Sequence, residues 1–460
     1  MKKRTKLVAL LMGMVLAMGS MTACGGSDDT SSTDTSGTEN TGSESTGTEE
    51  GTETGDATTE TQSIKLTVWA PQEEQKDYSK KDEKFAGYDH GLVEYMCEAF
   101  DEAHPEWDIE FEFKVCGEND AYTELSKDAA AGGDVFMYAG DQVASLVADG
   151  IVNPLAGTED VAANNAERAM QCATVTDADG NAMVYGIPFT PNTWFMYYDS
   201  SKYSEDEVAS LDTMMAKDLK DCQYNFAMQI GNGWYNGGFF YANGCTVFGP
   251  DGKDESVCDF NGENGLAAAE AMLSLATNKK FLQDDDKGIG KANMKEGNLA
   301  ALCSGTWDAT EIQGFLGDNY AAAKLPTMKM GGKEVQLNSI GDYKYIGVNA
   351  NTENPAAAQA LAIWLGSEEC QKDRFVARGV SPTWATLAED ETVKADVATV
   401  AQSNQLPYVA ITPTSKKFTN NYWNAMGALG NGMVNGDVNE KNLQKQLDSL
   451  VDNIVNGITE

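Results

Sequence analysis

Trp234 and Tyr235 sit together inside Gly231-Asn-Gly-Trp-Tyr-Asn-Gly-Gly238, and Trp194, Trp307, Trp384 and the Tyr422-Trp423 pair stand in similar Gly-, Asn- or Pro-bearing loops. Rings of this kind bury the apolar C–H face of a pyranose, while neighbouring Asp, Asn and Gln side chains bond its hydroxyls. Core packing explains any one ring alone at least as well. The loop setting of several together is what points to a hydroxylated ligand.

Other chemistries find little support. No phosphate-cradling Gly-Lys-Ser loop is present, and no Gly-x-Gly-x-x-Gly follows a strand. The chain has only two histidines, His90 and His104, a poor basis for a zinc site or a Ser-His-Asp triad. The Asp284–Gly290 stretch is rich in acids, but an EF-hand loop counted from Asp284 would place Ile289 and Lys295 where Gly and an acid are needed. No metal and no cofactor are expected. After the N-terminus the only arginines are Arg168, Arg374 and Arg378. Phosphate- or carboxylate-rich ligands usually meet arginine forks, so a neutral solute is favoured. Acids are too numerous for a catalytic pair to be picked out by counting. A secreted glycoside hydrolase and a receptor for another polar solute stay open as alternatives.

Hydrophobic spacing outlines the frame that must hold these residues. Residues 64–69 alternate as a strand, Leu92, Val93, Met96, Ala99 and Phe100 mark a helix stopped by Pro105, and residues 108–115 alternate again. This β-α-β run implies a parallel pair. A helix over Tyr122–Ala131, a buried strand over Asp134–Tyr138 and a helix over Asp141–Ala148 follow. Residues 174–185 read as a hairpin turning at Asp179-Gly180. Further on come a helix over Leu266–Ala276, strands at Leu299–Cys303 and Tyr343–Val348, and a helix opened by Pro355. An amphipathic helix closes the chain from Asn439, with Leu443, Leu447, Leu450, Val451 and Ile454 on one face. The pattern is α/β and doubly wound, and such sheets bind ligands at the carboxyl ends of their strands.

The first residues, Met1-Lys-Lys-Arg-Thr-Lys6 followed by an apolar run to Met18, read as a secretory signal peptide over residues 1–23. Met21-Thr-Ala-Cys24 resembles the lipobox of bacterial lipoproteins, which implies an acylated Cys24. Residues 24–63, nearly all Gly, Ser, Thr, Asp and Glu, read as a disordered tether. Of the formal net charge of −38, the body from Ile64 carries −32, from 29 basic and 61 acidic residues. That excludes nucleic acid and anionic lipid surfaces as partners. Cys245 and Cys258 lie symmetrically about Asp251-Gly252, so a hairpin there would let them form a disulfide; free buried thiols are an equal alternative.

The chain resembles the maltose-binding-protein-like group of solute-binding proteins of ABC importers. The likeness rests on Leu66-Thr-Val-Trp69, Glu98-Ala-Phe-Asp101 with His104-Pro105, Gly133-Asp-Val-Phe-Met-Tyr138, Val184-Tyr-Gly-Ile-Pro188 with Tyr197-Tyr-Asp199, Lys295-Glu-Gly-Asn-Leu-Ala300 with Gly305-Thr-Trp307, and Lys324-Leu-Pro326. It implies a type II, two-lobed fold in which each lobe is a β-sheet flanked by helices and the ligand sits between them. One lobe would comprise residues 64–188 and 345–390, the other 189–340 and 397–460. Hinge segments would lie near 188–192, 340–346 and 387–397. By the same resemblance, Tyr138 and Asp141 take first-lobe aromatic and hydroxyl-binding positions, and Trp234, Trp307 and Trp423 are stacking rings. Asn192 falls where the family often has an acid, and Gln142 where an Arg can appear. Trp194 and Tyr343 join the set on position alone. The implied partners are a carbohydrate, the transmembrane subunits of an ABC permease, and the membrane through Cys24. The protein would be a monomer on the outer face of the cell membrane.

Overall fold

The computed structural model describes residues 61–176 and 181–457. The signal peptide, Cys24, nearly all of the tether and the Asp179-Gly180 turn lie outside the described residues. In chain order the first strands are β1 (Gln62–Ala70), β2 (Trp107–Val115), β3 (Val135–Ala139), β4 (Thr174–Thr176) and β5 (Ala182–Val184). Next come β6 (Ile187–Thr193), β7 (Phe195–Asp199), β8 (Phe226–Met228), β9 (Phe281–Gln283) and β10 (Ala301–Ser304). The last are β11 (Tyr320–Ala323), β12 (Thr327–Met330), β13 (Lys333–Gln336), β14 (Ser339–Val348) and β15 (Val409–Ala410).

Alternation in β1 places Ile64, Leu66, Val68 and Ala70 inside. β1 pairs in parallel with β2 on one side and with β3 on the other. Parallel neighbours need a long crossover, supplied by the Leu92–Ala103 helix, which buries Leu92, Val93, Met96, Cys97 and Phe100. The first sheet runs β15-β14-β3-β1-β2, with β6 also paired to β14. The second runs β11-β7-β10-β8-β9. Among the described residues two of the connections run through strands. β6 leaves the first sheet and enters β7 of the second after one residue, Trp194. β14 starts with Ile340 in the apolar core beside the second sheet and ends with Ile346 and Val348 in the core beside the first.

The α/β pattern and most elements fall where the periodicity puts them, with three differences. The helix expected over Tyr122–Ala131 breaks into Ala121–Leu125 and a single turn at Ala129–Ala131. Asp128 is the cause, since its carboxylate accepts from the Ala131 amide and starts a new turn. β1 begins at Gln62, so the last two tether residues are part of the sheet. Cys245 and Cys258 are separate buried thiols rather than a disulfide. The chain does turn back between them, but Val247, not Cys245, lies opposite Cys258, two residues out of the symmetric register. Gly249 and Gly252, both at positive φ, together with Phe248, shape this tighter turn.

Candidate functional site

A cavity of about 620 Å³ opens between the carboxyl ends of the two sheets. Its walls follow directly from strand direction. Glu73 comes after β1, Glu118 and Asn119 after β2, and Asp141 and Gln142 after β3. From the other side, Gln229 and Trp234 come after β8, Asp286 after β9, and Trp307 and Asp308 after β10. Peptide groups at these ends have left the ladder, which is why side chains there are free to face a ligand.

Five of the eight expected ligand residues reach the cavity: Asp141, Asn192, Trp234, Trp307 and Trp423. Trp234 sits in the first turn of the Gly233–Ala242 helix, whose N-cap Asn232 accepts from the Trp234 amide at 2.9 Å. Trp423 projects from the Lys416–Asn435 helix, edge-on to Phe418 and Tyr422. Its ring lies 6.0 Å from that of Trp234, at 49°. A Cβ on Gly233 would meet the Trp423 ring at 3.2 Å, so the small residue lets the two helices bring their indoles together. Trp307 is 36% exposed, the most open of the three. Its ring lies over Gly305, where a Cβ would come within 2.1 Å of it.

Tyr138, Trp194 and Tyr343 are not brought to the cavity. Tyr138 is buried in β3, stacks on Tyr345 and donates to the Tyr185 carbonyl. Trp194 is buried beneath Trp234, donating its indole N–H to the Trp234 carbonyl at 3.2 Å. It therefore supports the site from behind. Tyr343 packs in the core behind the cavity with Tyr138 and Tyr345.

Beyond Gln142, noted from the resemblance, several lining groups went unread in the sequence. Gln142 accepts from the Tyr122 amide at 2.8 Å and donates to the Glu118 carbonyl at 2.8 Å, fixing the first wall. Gln229 donates to Asp286 at 2.7 Å. Each cation in the wall is bonded to an anion. Lys344 bonds Glu118 at 3.0 Å. Arg378 bonds the fully buried Glu74, which also holds Arg374 at 3.0 Å. Burial raises the Glu118 carboxyl, but Lys344 and Arg378 outweigh it and leave it below its ordinary range. Asp308 is bonded by Lys291 at 2.7 Å and Ser304 at 2.6 Å. Among the described residues no cation bonds Asp286 or Asp141; burial pushes Asp141 up to about 6, and a backbone hydrogen bond and the Trp423 indole N–H act in the opposite direction. Behind it Asp342, buried in β14, accepts from the Asp141 amide at 2.9 Å and from Asn192 Nδ2 at 2.7 Å. A charged residue inside a strand that is otherwise buried was the available signal for Asp342.

Across the mouth, Thr419 donates to the Asp141 carbonyl at 3.2 Å, and Lys416 bonds Asp149 at 2.8 Å. Tyr122 donates its hydroxyl to the same Asp149 at 2.7 Å. Among the described residues no cluster of three or more His, Cys, Asp or Glu side chains is arranged to hold a metal ion.

Residues 95–401 match the family model of bacterial extracellular solute-binding proteins. A galactooligosaccharide-binding protein of Bacillus subtilis is 26% identical over 64% of this chain and 70% of its own length. A maltooligosaccharide ABC transporter solute-binding lipoprotein of Streptococcus pneumoniae is 25% identical over 70% of this chain and 78% of its own. Among solved structures, one with acarbose is 33% identical, with a TM-score of 0.76 over 86% of this chain and 100% of the other. A maltodextrin binding protein from L. casei BL23 without ligand is 25% identical, with a TM-score of 0.71 over 85% of this chain and 99% of the other. With two sheets facing one cleft and a match across two thirds of its length, this chain belongs to the bacterial extracellular solute-binding proteins, which bind their ligands for transporters and are not enzymes.

Proposed function

We propose that the cavity captures an oligosaccharide and that the protein hands it to an ABC permease. The observation that carries this is the lining itself: three indoles, the Asp141 and Asp286 carboxylates free of any cation, and side-chain amides from Asn119, Asn192, Gln229 and Asn232. Indole faces suit the C–H faces of pyranose rings, and carboxylates and amides suit their hydroxyls. An anionic solute would need a cation to spare, whereas Lys344 and Arg378 are already committed to Glu118 and Glu74. The relatives named above for galacto- and maltooligosaccharides support the same ligand class.

Capture needs no covalent step. β6 with β7, β14 and the segment around 387–397 join the two sides and act as hinges, between lobes divided as the family resemblance implies. A sugar that touches both sides binds the closed form more tightly and shifts the population toward it. The closed form docks on the permease as a monomer. Cys24 carries the lipid that holds the protein at the outer face of the membrane.

The test is a thermal-shift screen of the chain from residue 61 against maltooligosaccharides, galactooligosaccharides, amino acids and dicarboxylates. A ligand present at about a hundred times its dissociation constant adds roughly 2.7 kcal/mol of stability. Stabilisation by an oligosaccharide that is recovered intact is the expected outcome. A response confined to amino acids or dicarboxylates would overturn the assignment.

A further inference from the structure

We propose that Asp342 is the positioning residue of this site and that in alkaline solution it couples sugar capture to the uptake of one proton. The proposal rests on the carbohydrate reading above and concerns how that same site is regulated.

Asp342 stands directly across the β14–β6 ladder from Asn192. One of its oxygens accepts from Asn192 Nδ2 at 2.7 Å, and the other accepts from the Asp141 amide at 2.9 Å. A single buried carboxylate thus fixes two lining residues that arrive on different strands. The close approach requires Gly140, where a Cβ would lie 2.9 Å from the Tyr343 carbonyl and 3.3 Å from the Asp342 Cβ.

The surroundings of Asp342 give it little compensation for a charge. From the turn after β3 it faces the Asp141 carboxylate, and from β3 itself the Tyr138 phenol. The Glu167–Cys172 helix offers the Cys172 thiol and the Arg168 guanidinium, which acts on Cys172 and Tyr343 and donates to the Val409 carbonyl at 3.1 Å, and β6 offers only the neutral Asn192 amide. On its own strand Tyr343 and Tyr345 are neutral, and Lys344 is drawn off to Glu118 at 3.0 Å. Burial first, and repulsion from Asp141 second, push Asp342 up to about 8, while Asp141 lies at about 6. The pair therefore gives up its protons in two steps, and between them the remaining proton favours Asp342, the more strongly raised of the two. That leaves Asp141, the member lining the cavity, ionised to accept sugar hydroxyls.

Closing the cleft over a sugar removes water from both carboxyls and raises the cost of charging Asp342 further. Above pH about 8 the free protein has Asp342 ionised and the sugar complex has it protonated, so binding consumes a proton from solution. Below pH about 6 Asp141 is protonated in the free protein, and binding releases that proton. Affinity therefore peaks between these limits.

Isothermal titration with maltotriose and with a galactooligosaccharide, from pH 5 to 9.5 and in buffers of differing ionisation enthalpy, measures both affinity and proton uptake. The expected result for the wild type is a dissociation constant rising toward tenfold per pH unit above about 8, with close to one proton taken up. Asp342→Asn should abolish the alkaline limb and the uptake while leaving the acid limb, which belongs to Asp141, in place. A merely structural role would lower affinity equally at every pH, and that outcome overturns the proposal. The wild-type measurement stands without the variant, should the variant fail to fold. If neither sugar binds, the functional reading fails, and the pair is judged in the free protein by carboxyl-carbon NMR titration. Two aspartates with midpoints well above the ordinary value of about 3.9 sustain it, and all aspartates titrating below pH 5 sink it.

Discussion

Trp234 and Trp423 face one another with ring centres 6.0 Å apart although they come from helices nearly two hundred residues apart in the chain. The tilt of 49° between them leaves a wedge rather than a closed stack. A sugar ring can lay its one apolar face across the open side of such a wedge and touch both indoles.

Replacing either indole should therefore weaken sugar binding by about tenfold to a hundredfold, equivalent to roughly 1.4–2.8 kcal/mol. Trp234→Ala and Trp423→Ala should be non-additive, because each ring supports the other. Titration calorimetry of the two single variants and the double variant decides this. Additive losses would mean that the rings act as separate subsites.

Gly305→Ala should harm binding more than folding. Its backbone is extended, so the residue itself accepts a side chain, but the new methyl would fall 2.1 Å from the Trp307 ring. Because that indole is 36% exposed, it can move away at little cost to the core. The expected signature is a loss of affinity of about tenfold with a change in unfolding free energy below about 1 kcal/mol, read by calorimetry and urea titration.

The ion pair between Lys416 and Asp149 ties the Trp423-bearing helix to the opposite wall at 2.8 Å, but its side chains are 45% and 34% exposed. Solvent screening limits such a pair to about 0.2–1 kcal/mol. Lys416→Ala should accordingly reduce affinity by no more than about fivefold, and the effect should vanish in 1 M salt, where the Debye length is about 3 Å. A salt-independent loss would assign Lys416 a direct ligand contact.

Glu74→Gln should be severe for stability. Glu74 and Arg374 have no exposed side-chain surface, and Arg378 shares the same carboxylate. Removing the anion strands two buried guanidinium groups, a loss of about 3–5 kcal/mol. Replacing the pair by apolar residues of similar volume should cost much less. Denaturant titration distinguishes the two.

The parts of the site legible from sequence were those whose local rule was unambiguous. Trp234, Trp307 and Trp423 adjoin Gly, Asn or Thr-Asp in the sequence, and the structure leaves each partly exposed, Trp234 and Trp423 on helices with one side against the core. Tyr138, Trp194 and Tyr343 were misplaced because an aromatic in a strand or at its end satisfies packing and ligand stacking alike. β3 and nearly all of β14 are buried on both faces, so alternation could not say which way a side chain points. Asp342 and the Glu118–Lys344 pair depend on the β14–β6 register and on partners more than a hundred residues away. No local spacing encodes those.

The passage of β14 through both cores has a consequence for dissecting the molecule. Cutting the chain to isolate either half would take β14 from the first sheet or Ile340 from the core beside the second, since Ile340 is committed to one interior and Val348 to the other. Neither half is a transplantable module, and heat or denaturant should melt both in a single cooperative transition.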